Sequence, residues 1–86
     1  MRLDKFLKIS RLIKRRTLAK EIADQGRISI NGNTAKAAST VAVGDILTIR
    51  FGQKLLTIEV ASLREIVKKD EAVQLYTIKK EEQITQ

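Results

Sequence analysis

Residues 15–32 read RRTLAKEIADQGRISING, and the spacing of the apolar positions changes inside that run. Leu18, Ala19, Ile22 and Ala23 fall on one arc at helical periodicity. Thr17 stands where an N-cap hydroxyl is expected, and Gly26 stands where a left-handed residue ends a helix. The capping box is incomplete, because Lys20 rather than Glu occupies its third position. Immediately afterwards Arg27, Ile28, Ser29 and Ile30 alternate with period two, and Asn31 with Gly32 forms a tight-turn dipeptide. A helix over 17–25 that runs at once into a strand and a hairpin predicts an α+β fold.

The flanks extend this pattern. Leu3, Phe6, Leu7 and Ser10 share one arc of a helix over 2–10, with Arg2, Asp4, Lys5 and Lys8 outside it. Arg11 to Arg16 breaks the period and reads as a connector in which Leu12 and Ile13 anchor while the bases project. Downstream, Val41 to Val43 lead into a turn at Gly44 and Asp45, and Ile46 to Phe51 reads as a strand. Gly52 to Lys54 reads as a turn, Leu55 to Ser62 as a strand, Lys68 to Glu71 as a polar link and Val73 to Ile78 as a last strand. The predicted architecture is two amino-terminal helices packed on a small twisted, mostly antiparallel sheet. Lys79 to Gln86, rich in Glu and Gln, is expected to be a frayed, flexible tail.

Charge is distributed unevenly over this frame. The first twenty residues hold eight bases, Arg2, Lys5, Lys8, Arg11, Lys14, Arg15, Arg16 and Lys20, against the single acid Asp4. That segment alone matches the net charge of +7, while the rest of the chain is nearly neutral. A basic end on a neutral body is the footprint of a polyanion partner, since Lys and Arg that neutralise phosphates release condensed counterions. With 86 residues there is room for one domain and a modest core, so function belongs on the surface. The absence of Cys removes disulfides, thiolate nucleophiles and thiolate metal sites. The absence of His removes the side chain best suited to proton transfer near neutral pH. Asp70 with Glu71, and Glu81 with Glu82, are adjacent acids with nothing to complete a catalytic site. The inventory argues against an enzyme, implies no cofactor or metal, and offers no segment for a signal peptide or membrane span, so a cytoplasmic location is expected.

Arg2, Leu3, Asp4 and Leu7, then Arg15 and Arg16 opening a helix with Ala19 and Ile22, then Gly26, Ile28, Ile30, Asn31 and Gly32, and finally Val43, Gly44, Asp45 and Ile46 follow in an order that resembles the S-four RNA-binding domain, named after ribosomal small-subunit protein four. The likeness covers residues 1–50, with 51–78 as additional strands completing the same domain and 79–86 as the tail. With no synthase, methyltransferase or synthetase domain expected beside it, the chain is similar to stand-alone members of that family. It lacks the longer basic carboxy-terminal extension of the fifteen-kilodalton heat-shock members, which favours the quality-control branch. That resemblance implies binding to the rRNA of large ribosomal subunits still carrying peptidyl-tRNA, and support of carboxy-terminal alanine tailing by the partner RqcH. It carries the expectation of a monomer acting away from membranes.

The residues themselves suggest where RNA binds. Arg15, Arg16 and Thr17 cluster where the second helix begins, so backbone amides, a partial positive dipole and two guanidinium forks converge on one anion-binding place. Arg2, Arg15 and Arg16 are the expected principal contacts because Arg binds phosphate bidentately. Lys5 and Lys8 flank them, Arg11, Lys14 and Lys20 complete the patch, and Arg27, Asn31, Thr34 and Lys36 form the hairpin side of a groove. Asn31, Gly32, Gly44 and Asp45 are turn residues first. Asp4 is either an acid favoured by the helix dipole or a carboxylate that orders a neighbouring base, Lys8 being four residues on. Aromatic residues make up only 3% of the chain, so recognition through phosphate, 2′-OH and shape is expected rather than base stacking. Two other readings fit the same residues. One is a ribosome assembly factor or nucleoid protein using the same patch. The other is a protein-interaction adaptor whose sheet carries Glu59, Glu65, Glu71 and the tail acids.

Overall fold

The computed structural model describes residues 1–64 and 68–83, without the side chains of 69, 71 and 73. Two helices, α1 (Leu3–Ile9) and α2 (Arg16–Asp24), precede five strands: β1 (Ile28–Ile30), β2 (Asn33–Thr34), β3 (Ile46–Phe51), β4 (Lys54–Val60) and β5 (Tyr76–Gln83). All strand pairs are antiparallel and the order is β2-β1-β3-β4-β5. The α+β architecture expected from the period change is the one observed.

Alternation along the strands sends Ile28, Leu47, Ile49, Leu56, Ile58 and Val60 to one face, where they meet Leu3, Phe6, Leu7, Ala19, Ile22 and Ala23 of the helices. Ile13 is buried and Leu12 packs against this core, so the apolar pair does anchor the connector. Leu18 departs from expectation: it is 45% exposed, and only Ala19, Ile22 and Ala23 make the buried stripe of α2. The helix begins one residue earlier than its periodicity suggests. Arg15 is its extended N-cap, with no capping side chain, and Thr17 lies inside the first turn.

Helix ends and turns obey local chemistry. Gly26 has φ 78°, its N–H donates to the Ala23 carbonyl and the Arg27 N–H donates to the Ile22 carbonyl, the paired bonds of a Schellman stop. Asn31 and Gly32 both have positive φ, as a type I′ turn requires. The loop over 35–41 ties the amino terminus down: the amides of Leu3 and Asp4 donate to the carbonyls of Ser39 and Ala37, and the Val41 amide donates to Met1. The first amides of α1 are therefore occupied.

The carboxy-terminal third needs correction in two places. The segment Lys69–Leu75 is a 3-10 helix that buries Ala72 and Leu75, so the last strand begins at Tyr76 rather than Val73. Lys79–Gln83 is not a frayed end but the outer half of β5, paired with β4 from Thr57 to Lys54. Its side chains are exposed on both faces, which removes the alternation that marks a half-buried strand. Cross-strand charge supports it instead, through Lys54 with Glu81 and Lys79 with Glu59 at 3.2 Å. The last three positions of the expected tail, 84–86, lie outside the described residues, as does Glu65.

Candidate nucleic-acid interface

Asp4 organises the basic end. Its Oδ1 accepts from Arg2 Nε at 3.1 Å and from the Lys5 amide at 2.8 Å, while Oδ2 accepts from Arg2 Nη2 and Arg16 Nε, both at 3.3 Å. The carboxylate side chain is 4% exposed, against 51% for Arg2 and 46% for Arg16. Burial raises the Asp4 pKa, but the hydrogen bond and charge of Arg16, the Lys5 amide and the charge of Arg2 outweigh it and hold the group below its ordinary value. Of the two readings of Asp4, a helix-dipole acid or a carboxylate ordering a base such as Lys8, the structure shows it ordering bases, but not Lys8. Its partners are instead Arg2, two residues before it, and Arg16, twelve residues after it. Neither partner follows from helical spacing, because α1 begins after Arg2 and the connector folds back to bring Arg16 to Asp4.

A sunken carboxylate thus holds two half-exposed guanidinium groups side by side. Each fork has five N–H donors, and Arg16 gives Asp4 only its Nε. Both side chains are about half exposed, and Arg16 opens α2. Helix geometry leaves the first amides of α2 without partners inside the helix, and no side chain caps them. The two held forks are Arg2 and Arg16, where the sequence pointed to Arg15 and Arg16, and exposed Arg15 stands as the N-cap of the same positive helix end. No cofactor is needed for such a site to hold phosphate oxygens.

The other expected contacts separate into groups. Lys8 lies in the last turn of α1 and is exposed, and Lys5 is half-buried on the same helix. Arg11 and Lys14 project from the connector, and Arg11 takes a left-handed φ of 61°, the position where glycine is usual after a helix. Lys20 and Thr17 line a shallow groove along α2 with Glu21, Asp24 and Gln25, where two acids accompany the lysine. Lys36 donates from Nζ to the Asp24 carbonyl at 3.3 Å, at the opposite end of α2 from Arg16. Asn31 is engaged as a strut: its Nδ2 donates to Asp45 at 3.1 Å and its Oδ1 accepts from the Ile46 amide at 2.9 Å. Thr34 lies in β2, and Arg27 lies between the end of α2 and β1. Glu81 and Glu82 are taken by Lys54 and Lys80.

Comparison with known proteins agrees with this fold. The S4 domain family model matches residues 1–47, which takes in Arg2, Asp4 and Arg16. The "RQC P-site tRNA stabilizing factor" of Bacillus subtilis (strain 168) is 70% identical over 84 residues, covering 98% of both chains. The "Heat shock protein 15 homolog" of Haemophilus influenzae is 34% identical, over 76% of this chain and 50% of its own. Among solved structures, the trimeric structure of Vibrio cholerae heat shock protein 15 superposes with a TM-score of 0.84 at 34% identity, covering 91% of this chain and 80% of the other.

Proposed function

The chain belongs to the S4 domain family, and on that premise we propose that it is a non-catalytic RNA-binding factor of ribosome-associated quality control. It binds rRNA and tRNA on obstructed large ribosomal subunits that carry peptidyl-tRNA, and supports carboxy-terminal alanine tailing by RqcH. It works in the cytoplasm as a monomer. No helix among the described residues is long and apolar enough to cross a membrane. The reading draws on near full-length similarity to relatives named for stabilising P-site tRNA.

The observation that carries it is the Asp4-anchored pair Arg2 and Arg16 beside the open end of α2. A phosphate held by pre-positioned forks loses less conformational freedom on binding than one held by freely rotating side chains. Function follows from binding one ribosomal state better than another, which shifts populations without chemistry.

A pull-down of tagged protein from growing cells at moderate salt, with sequencing of the captured RNA, tests this. Large-subunit rRNA with tRNA, free of small-subunit rRNA, is the expected outcome, and Arg16→Ala should lose it while still folding, at a somewhat lower melting temperature because the buried Asp4 loses a partner. Precursor rRNA or both subunits would assign the patch to ribosome assembly instead.

A further inference from the structure

We propose that the sheet face turned away from the helices is a second surface for RNA backbone, so that one molecule holds two RNA segments on opposite sides. The proposal rests on the RNA-binding reading above and extends it to residues outside the helix pair. Strand register places Thr34 opposite Ser29, Ser29 opposite Thr48, Thr48 opposite Thr57 and Thr57 opposite Lys80. One unbroken row of hydroxyls therefore crosses β2, β1, β3 and β4, and it ends at Lys80, whose charge Glu82 already takes up at 2.7 Å. Alternation puts this row on the side away from Ile28, Ile49 and Ile58, which are in the core.

Beside the row lies an unneutralised pair of charges. The Arg50 N–H donates to the Arg27 carbonyl at 3.0 Å, which continues the β1–β3 ladder by one step and sets Arg27 opposite Arg50. Alternation places Arg27 with Ser29 and Arg50 with Thr48, and both arginines are exposed. Directly opposite residues have β-carbons about 5 Å apart, and like charges there repel. The acids of this face are engaged elsewhere, Glu59 with Lys79 at 3.2 Å and Glu82 with Lys80 at 2.7 Å. Among the described residues, neither Arg27 nor Arg50 has an acidic partner. An anion between the two forks turns repulsion into charge-assisted hydrogen bonds.

The occupant is RNA backbone rather than splayed bases. The three aromatic residues, Phe6, Phe51 and Tyr76, all belong to or pack against the core, so this face has no stacking platform. Hydroxyls beside two guanidinium groups match phosphate oxygens and 2′-OH groups.

The test presents the protein to an immobilised tRNA transcript and then adds a second, fluorescent tRNA transcript. Wild type should retain the second RNA on the beads. Arg50→Gln should lower the salt slope of second-RNA capture by about one, and Arg27→Gln with Arg50→Gln should weaken that capture roughly tenfold while the first RNA stays bound. The double variant should melt at or above the wild-type temperature, since a repulsive pair is removed. Arg2→Gln with Arg16→Gln should leave a protein that binds one RNA through the sheet. Capture of a single RNA by wild type, or undiminished capture by the double variant, would overturn the second surface while the helix-pair reading stands. Retention of both RNAs with loss of binding to polyglutamate would assign the face to an acidic protein and likewise overturn it. Failure of wild type to bind any RNA would remove both.

Discussion

A buried carboxylate between two arginines is a device for pre-organisation, and Asp4 can be separated from its partners by pH. Its pKa is depressed in the folded chain. The stability it supplies is therefore complete above the ordinary value of 3.8 and lost as pH falls through the lower folded value. Asp4→Asn should cost roughly 1–2 kcal/mol at pH 7, discounted for the half-exposed arginines. The cost should shrink as pH drops below 3.8, where wild type loses the same interaction. Thermal melts across pH check this; an equal gap at pH 7 and in acid would mean that the carboxylate charge is not what stabilises. RNA binding by the variant should also fall at neutral pH, because Arg2 and Arg16 keep their charge but lose their fixed pose. At this scale the residue types were legible and the pairing was not. One acid among eight bases marks Asp4 as unusual, but only the folded connector brings Arg16 to it.

Elements were legible where a local rule acts alone. The Gly26 stop, the Asn31–Gly32 turn and strands β1, β3 and β4 follow from backbone conformation and from one face being buried. The start of α2 was misplaced because no side chain caps it, so Thr17 attracted a role that the backbone does not give it. The outer half of β5 was hidden for a different reason: a strand exposed on both sides carries no alternating signal, and a bulge between Thr57 and Ile58 shifts its register. A chain ending at Ile78 tests the assignment. It should keep RNA binding through the helices, melt several degrees lower and scatter light at high concentration. The shortening uncovers the edge of β4 along Lys54 to Thr57. An unchanged melting temperature would restore the frayed-tail reading.

For the molecule as a whole, the sheet separates two kinds of surface, and salt dependence distinguishes them from ordinary surface charge. The outer strands pair their lysines internally, Lys54 with Glu81, Lys79 with Glu59 and Lys80 with Glu82, so these bases have little left to offer a phosphate. Arg2 and Arg16 at the amino-terminal end share a single buried carboxylate and remain about half exposed. On the proposed reading, about five phosphates at the helix pair should set a slope of log K against log salt of roughly −3.5 to −4.5, and the proposed second surface at Arg27 and Arg50 should add to it. Replacing Lys54, Lys79 and Lys80 by Gln should leave the slope for purified large subunits nearly unchanged. Replacing Arg2, Arg15 and Arg16 by Gln should flatten it by about three. A flat wild-type slope would make the basic end secondary and favour a protein adaptor, and equal effects of the two triple variants would mean that net charge alone, not the positioned arginines, drives binding.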